Sequence, residues 1–314
     1  MEAYTPQPEG RARLAVAGAR GTVAEVLRNQ PRGDVVRNIA FAGLLLLAIS
    51  IAMAGLIAIL VQAFAKGSAA LSLDLFTNPP STLDPASAGF RPAIIGSLEL
   101  IAGVIVLVVP IGIGAAVYLE EYADNTRWWN RLIEINIQNL AAVPSIIYGI
   151  LGLGFIVRGP ASLGFILAAG AITLALLVLP IVIIASREAI RAIPDSIRQG
   201  SFALGATRWQ TVRRQVLPAA VPGIATGVIL AVSRALGEAA PLLLVGATVF
   251  VTFDPQPFSH DGYSALPVQI FQYAKRPQAD FQTVAAAGII VMLGVLLVVN
   301  SFAIWLRNRY EQQW

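Results

Sequence analysis

The sequence predicts an all-α polytopic membrane protein with six transmembrane helices and both termini cytoplasmic. Three observations carry the prediction. The 314 residues are 56% hydrophobic and 13% charged, where a soluble chain carries about a quarter charged residues. Six apolar runs reach the ~20 residues needed to cross a bilayer core. Arginines cluster in every second loop between those runs.

Taken in order, residues 1–38 form a cytoplasmic N-terminal tail containing Pro6, Pro8 and Pro31. Within it, residues 14–27 fit either a helix lying along the membrane surface or a solvated tail. The first span covers 39–64; it is too long and too far into the chain for a signal peptide. An extracytoplasmic loop follows at 65–91, where Asn78-Pro-Pro-Ser-Thr-Leu-Asp-Pro85 reads as irregular turns. The core, 92–306, holds the other five spans, at 92–118, 137–157, 163–186, 221–250 and 281–306, together with a long cytoplasmic loop at 187–218. Residues 307–314 form a cytoplasmic C-terminal tail.

Orientation follows from the basic residues. Arg11, Arg13, Arg20, Arg28, Arg32 and Arg37 precede the first span, and Arg127 and Arg131 separate the second from the third. Arg187, Arg191, Arg198, Arg208, Arg213 and Arg214 separate the fourth from the fifth, and Arg307 and Arg309 follow the sixth. The opposite loops hold only Lys66, Arg91, Arg158, Lys275 and Arg276. The positive-inside rule places the arginine-rich side in the cytoplasm. Because these charges flank apolar runs, they orient the chain in lipid and do not mark nucleic-acid binding. The chain has no cysteine, which excludes disulfides, thiolate metal sites and cysteine nucleophiles. Its one histidine, His260, lies beside Asp261 in an outer loop and reads as solvated.

Two charges stand inside an apolar run. Arg234 and Glu238 are four residues apart, on one face of a helix, and each charge at that depth costs at least ~2.5–3.5 kcal/mol. The pair is either an internal ion pair or a site for a charged solute, since a guanidinium is a planar fork suited to oxyanions. At ~1.5 Å per residue, Arg234 lies about 24 Å beyond Pro218, near midplane depth. Glu99 is a second deep acid that pairs with an arginine across the bundle, Arg234 included, or bonds a neighbouring helix while protonated. Arg187 and Arg191 sit at the inner mouth of span four, as interface anchors or as exit-side anion contacts. Ser145 and Tyr148 in span three read as packing or path-facing residues.

The loop 187–218 carries its own pattern. Pro194 ends one helical piece and Asp195 is placed to cap the next. Ile197, Ala203, Leu204, Trp209 and Val212 recur at helical spacing, which predicts a short helix-turn-helix. Trp209 beside Arg208 is a pairing enriched at binding hot spots. The same pattern also suits an amphipathic loop lying under the membrane domain.

The segment Leu204-Gly-Ala-Thr-Arg-Trp-Gln-Thr-Val-Arg-Arg-Gln-Val-Leu-Pro218 resembles the cytoplasmic loop of ABC-importer permeases, with Gly205 and Leu217-Pro218 in the family frame. Gln199-Gly200-Ser201 stands where that loop has Glu-Ala-Ala, and Gln215 stands where it has isoleucine. Leu119-Glu-Glu-Tyr-Ala123, Leu140-Ala-Ala-Val-Pro-Ser-Ile-Ile-Tyr-Gly149 and Ser233-Arg-Ala-Leu-Gly-Glu-Ala-Ala-Pro-Leu-Leu243 are similar to the phosphate-specific branch, A-type subunit. Ala239 replaces that branch's usual threonine. The resemblance spans about residues 90–310.

That resemblance implies the type I ABC importer permease fold in a bacterial plasma (inner) membrane. It implies a coupling helix built from Ser201, Leu204, Gly205, Ala206, Thr207, Arg208 and Trp209, which docks on an ATPase. Arg234 and Glu238 match the family's pathway residues, and Arg187 and Glu99 are further pathway candidates. The implied partners are a homologous C-type permease, an ATPase dimer, an extracytoplasmic phosphate-binding protein and membrane lipid. No cofactor is expected in this chain; having no Gly-x-x-x-x-Gly-Lys-[Ser/Thr] phosphate loop, it leaves ATP and Mg to the partner ATPase. The alternatives are an importer of another oxyanion or solute, an ion-coupled secondary transporter, and a structural scaffold.

Overall fold

A computed structural model describes residues 32–124, 126–247, 251–256 and 262–310. The surface-helix expectation for residues 14–27, His260 and Asp261 lie outside them. The chain divides into two compact units, Met1–Gln62 and Ala63–Trp314. In the first unit runs most of helix α1 (Arg32–Gly67). Its side chains are apolar on every face, with Leu44, Leu46, Ile51 and Ile59 each more than half exposed. A helix that is apolar all round over residues 39–61 has the character of a membrane span.

In the second unit, a short helix α2 (Asp74–Thr77) follows the first span, and α3 (Arg91–Val117) runs on through a wider π turn at Tyr118–Tyr122. After α4 (Trp128–Ala141) and α5 (Ser145–Leu151) comes α6 (Leu167–Arg191), the helix at the centre of the bundle. It packs α3 on one side and α9 (Leu217–Gly237) on the other. Leu100, Val104 and Val108 of α3 meet Leu174, Val178 and Val182 of α6 in the main core. Helix approach is close because small residues face each other: a side chain on Gly112 would strike Val182, and one on Gly227 would strike Ala185. A second core caps one end, where α11 (Leu266–Ala274) packs on α12 (Ala279–Tyr310). There Tyr273 stacks on Phe281 with ring centroids 5.6 Å apart.

Among the described residues, five helices are long and apolar enough to cross a membrane: Val36–Ala70, Arg91–Tyr122, Leu167–Arg191, Arg208–Gly237 and Ala279–Arg309. A sixth crossing exists only if the bent pair Trp128–Ala141 and Ser145–Val157 counts as one span. The span expected at 137–157 is thus found as two helical pieces that meet at 108°. Pro144, extended at ψ 137°, supplies no N–H to the preceding turn and pushes the residue before it out of helical geometry.

The expected span at 221–250 is corrected. Helix α9 stops at Gly237, Glu238 is extended (φ −84°, ψ 115°), and the chain restarts as α10 (Ala240–Leu244). Pro241 would have to bond back to Gly237 and has no hydrogen to do so. A left-handed Gly246 (φ +96°) then turns the chain away. The two broken segments pack on each other, with Gly149 against the backbone of Pro241.

Candidate functional site

The break after Gly237 decides the setting of the intramembrane charges. Arg234 occupies the last turn of α9, where the uncapped carbonyls favour a cation. Glu238 sits beyond the helix end and reaches back, its Oε1 3.4 Å from Arg234 Nε. That is a long contact for a charge-assisted bond. The arginine side chain stays 43% exposed and the glutamate 18%. The pair thus stands at a helix end with its cation available, instead of in the middle of a continuous helix. Hydropathy gives no sign of Ser233, whose hydroxyl donates to Asn300 Oδ1 at 2.7 Å and ties α9 to α12.

Among the described residues Glu99 meets no arginine, Arg234 included, and its buried Oε2 has no hydrogen-bond partner.

Arg187 is brought into a network that the sequence reading did not foresee. Its Nε donates to Glu120 at 2.8 Å and its Nη2 to Glu134 at 3.0 Å. Arg191 adds a 2.6 Å bond to the same Glu120 oxygen. Glu121, the next residue, accepts from Arg198 at 2.8 and 3.0 Å. Adjacent residues of an ordinary helix point about 100° apart. Here the two carboxylates, both in the π turn, serve arginines from α6 and from the following loop. The only sequence signal was a pair of acids at one end of an apolar run, on the arginine-rich side of the membrane.

The loop itself is a helix-turn-helix: α7 (Asp195–Ala203), a turn, and α8 (Arg208–Thr211), which runs on through a π turn into α9. Pro194 holds the N-cap position and Asp195 does not cap; its carboxylate lies 3.2 Å from Arg198. Thr207 caps α8 instead, accepting from the Gln210 amide while the Gln210 side chain accepts from the Thr207 amide. The turn closes through the Gly205 amide on the Phe202 carbonyl, 2.9 Å, with Gly205 left-handed at φ +80°. Ser201 and Thr211 bond across the turn at 2.8 Å. Arg208 lies over the Tyr122 ring, 5.2 Å from its centroid.

Among the loop's uncovered side chains are two large apolar ones: Leu204 is 90% exposed and Trp209 56%. Between the two helices lies a hollow of about 490 Å³ bordered by Ser201, Leu204, Gly205, Ala206 and Arg214. A Cβ at Gly205 would meet open space. Gly205→Ala is therefore expected to cost only the left-handed backbone term, about 1–2 kcal/mol, and Gly205→Asn less. Local hydrogen exchange over residues 195–211 reads the difference.

The sequence family described as binding-protein-dependent transport system inner membrane component matches residues 108–312. The phosphate transport system permease protein PstA of Yersinia pestis is 36% identical over 251 residues, covering 78% of this chain and 81% of its own. PstA 1 of Mycobacterium tuberculosis (strain CDC 1551 / Oshkosh) is 36% identical over 225 residues, 70% of this chain and 71% of its own. Among solved structures, a bacterial alginate ABC transporter in complex with alginate pentasaccharide-bound periplasmic protein superposes with a TM-score of 0.61. It shares 18% identity and covers 86% of this chain and 94% of that one. The MetNI methionine ABC transporter, in inward facing conformations, gives 0.56 at 18% identity, over 70% and 94%. These two establish the permease fold, while the sequence relatives establish the branch. The chain belongs to the family of binding-protein-dependent transport system inner membrane components, among its phosphate transport system permeases.

Proposed function

We propose that the chain is the non-catalytic transmembrane permease subunit of an ATP-driven phosphate importer. ATP, with Mg, is hydrolysed on a separate ATPase that docks against α7 and α8. The observation that carries this reading is the uncovered Leu204 and Trp209 beside a concave face, on a helix-turn-helix at the start of the span Arg208–Gly237. Apolar side chains in that position call for a protein partner. The similarity to phosphate permeases supplies the solute. The arginine distribution supports a cytoplasmic placement of this loop and of both termini.

In this reading Arg234 contacts the anion, and Glu238 competes with it for the guanidinium and speeds release. Glu99 stands in the same bundle as a further carboxylate near the path. Arg187, closed by two carboxylates, ties helices together and leaves anion binding to Arg234. A homologous permease completes the pathway, and an extracytoplasmic phosphate-binding protein delivers the solute to the outer loops.

The test is purification with the candidate ATPase and reconstitution in vesicles. ATP-dependent uptake of phosphate, unaffected by excess sulfate, is expected. Uptake without ATP, or uptake that sulfate abolishes, overturns the assignment. Leu204→Asp combined with Trp209→Ala is expected to reduce ATPase co-purification about tenfold or more, as loss of hot-spot residues does. Unchanged association would remove the docking role from this loop.

A further inference from the structure

Helix α7 has no buried residue. A helix of this length gains most of its stability from apolar packing, so its position on the bundle must come from elsewhere. Its attachment is Arg198, whose side chain is only 17% exposed. Arg198 donates from Nε and Nη2 to one oxygen of Glu121, at 3.0 and 2.8 Å. It also donates from Nη2 to the Ile190 carbonyl at 3.0 Å and from Nη1 to the Ile193 carbonyl at 2.7 Å. Those carbonyls are at the C-terminal end of α6, where the helix dipole favours a cation. Glu121, 6% exposed, belongs to the π turn that ends the α3 span.

One guanidinium thus joins three elements: α7, the end of α6 and the end of α3. The other side-chain bond of α7 to another helix among the described residues, Ser201 with Thr211, joins it to α8, which continues into α9 and not into α3 or α6. We infer that the Arg198–Glu121 pair is the pin that transmits displacement of the docking helix to the α3 and α6 spans, so that breaking it separates ATP hydrolysis from transport. Arg198 and Glu121 are positioning residues in this scheme and touch no substrate. A lysine would not serve, because a single ammonium cannot present a planar fork to a carboxylate and two carbonyls at once.

The inference rests on reading the loop as the ATPase dock, and the experiment separates the two. In the assembled transporter, Arg198→Gln is expected to leave ATPase co-purification and hydrolysis in place. Phosphate moved per ATP hydrolysed should fall about tenfold. Glu121→Gln should do the same from the other side; being buried, it cannot act through a docking contact. Hydrogen exchange on the same samples should show amides 195–203 exchanging about tenfold faster, with the amides of α6 unchanged. A wild-type transport ratio in both variants, or slow exchange at 195–203, overturns the pin. Faster exchange throughout the chain overturns it as well, since that marks a general structural role. If the wild-type complex hydrolyses ATP and imports no phosphate, the functional reading fails; the exchange result still decides the pin.

Discussion

Arg234→Gln is expected to lower phosphate uptake about 100-fold at limiting phosphate while leaving assembly with the ATPase intact. Truncating one member of a charge-assisted contact costs about 2–5 kcal/mol, and each 1.4 kcal/mol is a factor of ten. The geometry makes the loss one of function more than of stability, because the arginine is 43% exposed and its contact with Glu238 is a long 3.4 Å. A cation so placed contributes little to holding α9 and remains free to meet an anion. Arg234→Lys should recover only part of the rate, since it keeps the charge and loses the fork. Glu238→Gln should slow release and lengthen phosphate retention by removing the competing carboxylate. The measurement is uptake of labelled phosphate into vesicles together with retention after dilution. Wild-type uptake by Arg234→Gln would reduce the pair to an ion pair at a helix end.

The sequence made the straight spans legible and hid the broken ones for a specific reason. Hydropathy stays high across residues 137–157 and 221–250, so nothing in the apolar pattern marks a bend. Proline permits a bend but does not decide where one forms. Pro110, Pro180 and Pro222 lie inside continuous helices α3, α6 and α9, while Pro144 and Pro241 stand at breaks. Whether the freed carbonyls are satisfied by neighbours is a tertiary matter, and here Gly149 against Pro241 packs the two breaks together. The loop 187–218 was legible as a helix-turn-helix because its signals are local: helical spacing of Ile197, Leu204 and Trp209 and a glycine in the turn. The arginine network was not, because Arg187 lies 67 and 53 positions from the two glutamates it binds, and Arg198 lies 77 from its own. From sequence, an arginine at a span end reads as a lipid-interface anchor or an exit-side anion contact; only the fold supplies the carboxylate.

Arg187→Leu is expected to destabilise the chain by about 3–5 kcal/mol, the range for removing one partner of a buried ion pair. The arginine side chain is 9% exposed, between Glu120 at 14% and Glu134 at 35%. Glu120 would keep Arg191. Glu134 has Arg187 as its one cation among the described residues, so it would be left half-buried and uncompensated. Arg191→Gln supplies the contrast. Its side chain is 53% exposed and shares Glu120 with Arg187, so its loss should cost at most about 1 kcal/mol. Denaturant unfolding in lipid bilayers or detergent, with all variants in the same conditions, gives the comparison. If the two substitutions destabilise equally, burial does not govern the network. A larger loss for Arg187→Leu, recovered in part by Glu134→Leu in the same chain, would fit a charge triad whose members are costly apart and tolerable together. That outcome would also separate Arg187 from Arg234: the first holds α6 to the end of α3, and the second is left with a charge to offer the solute.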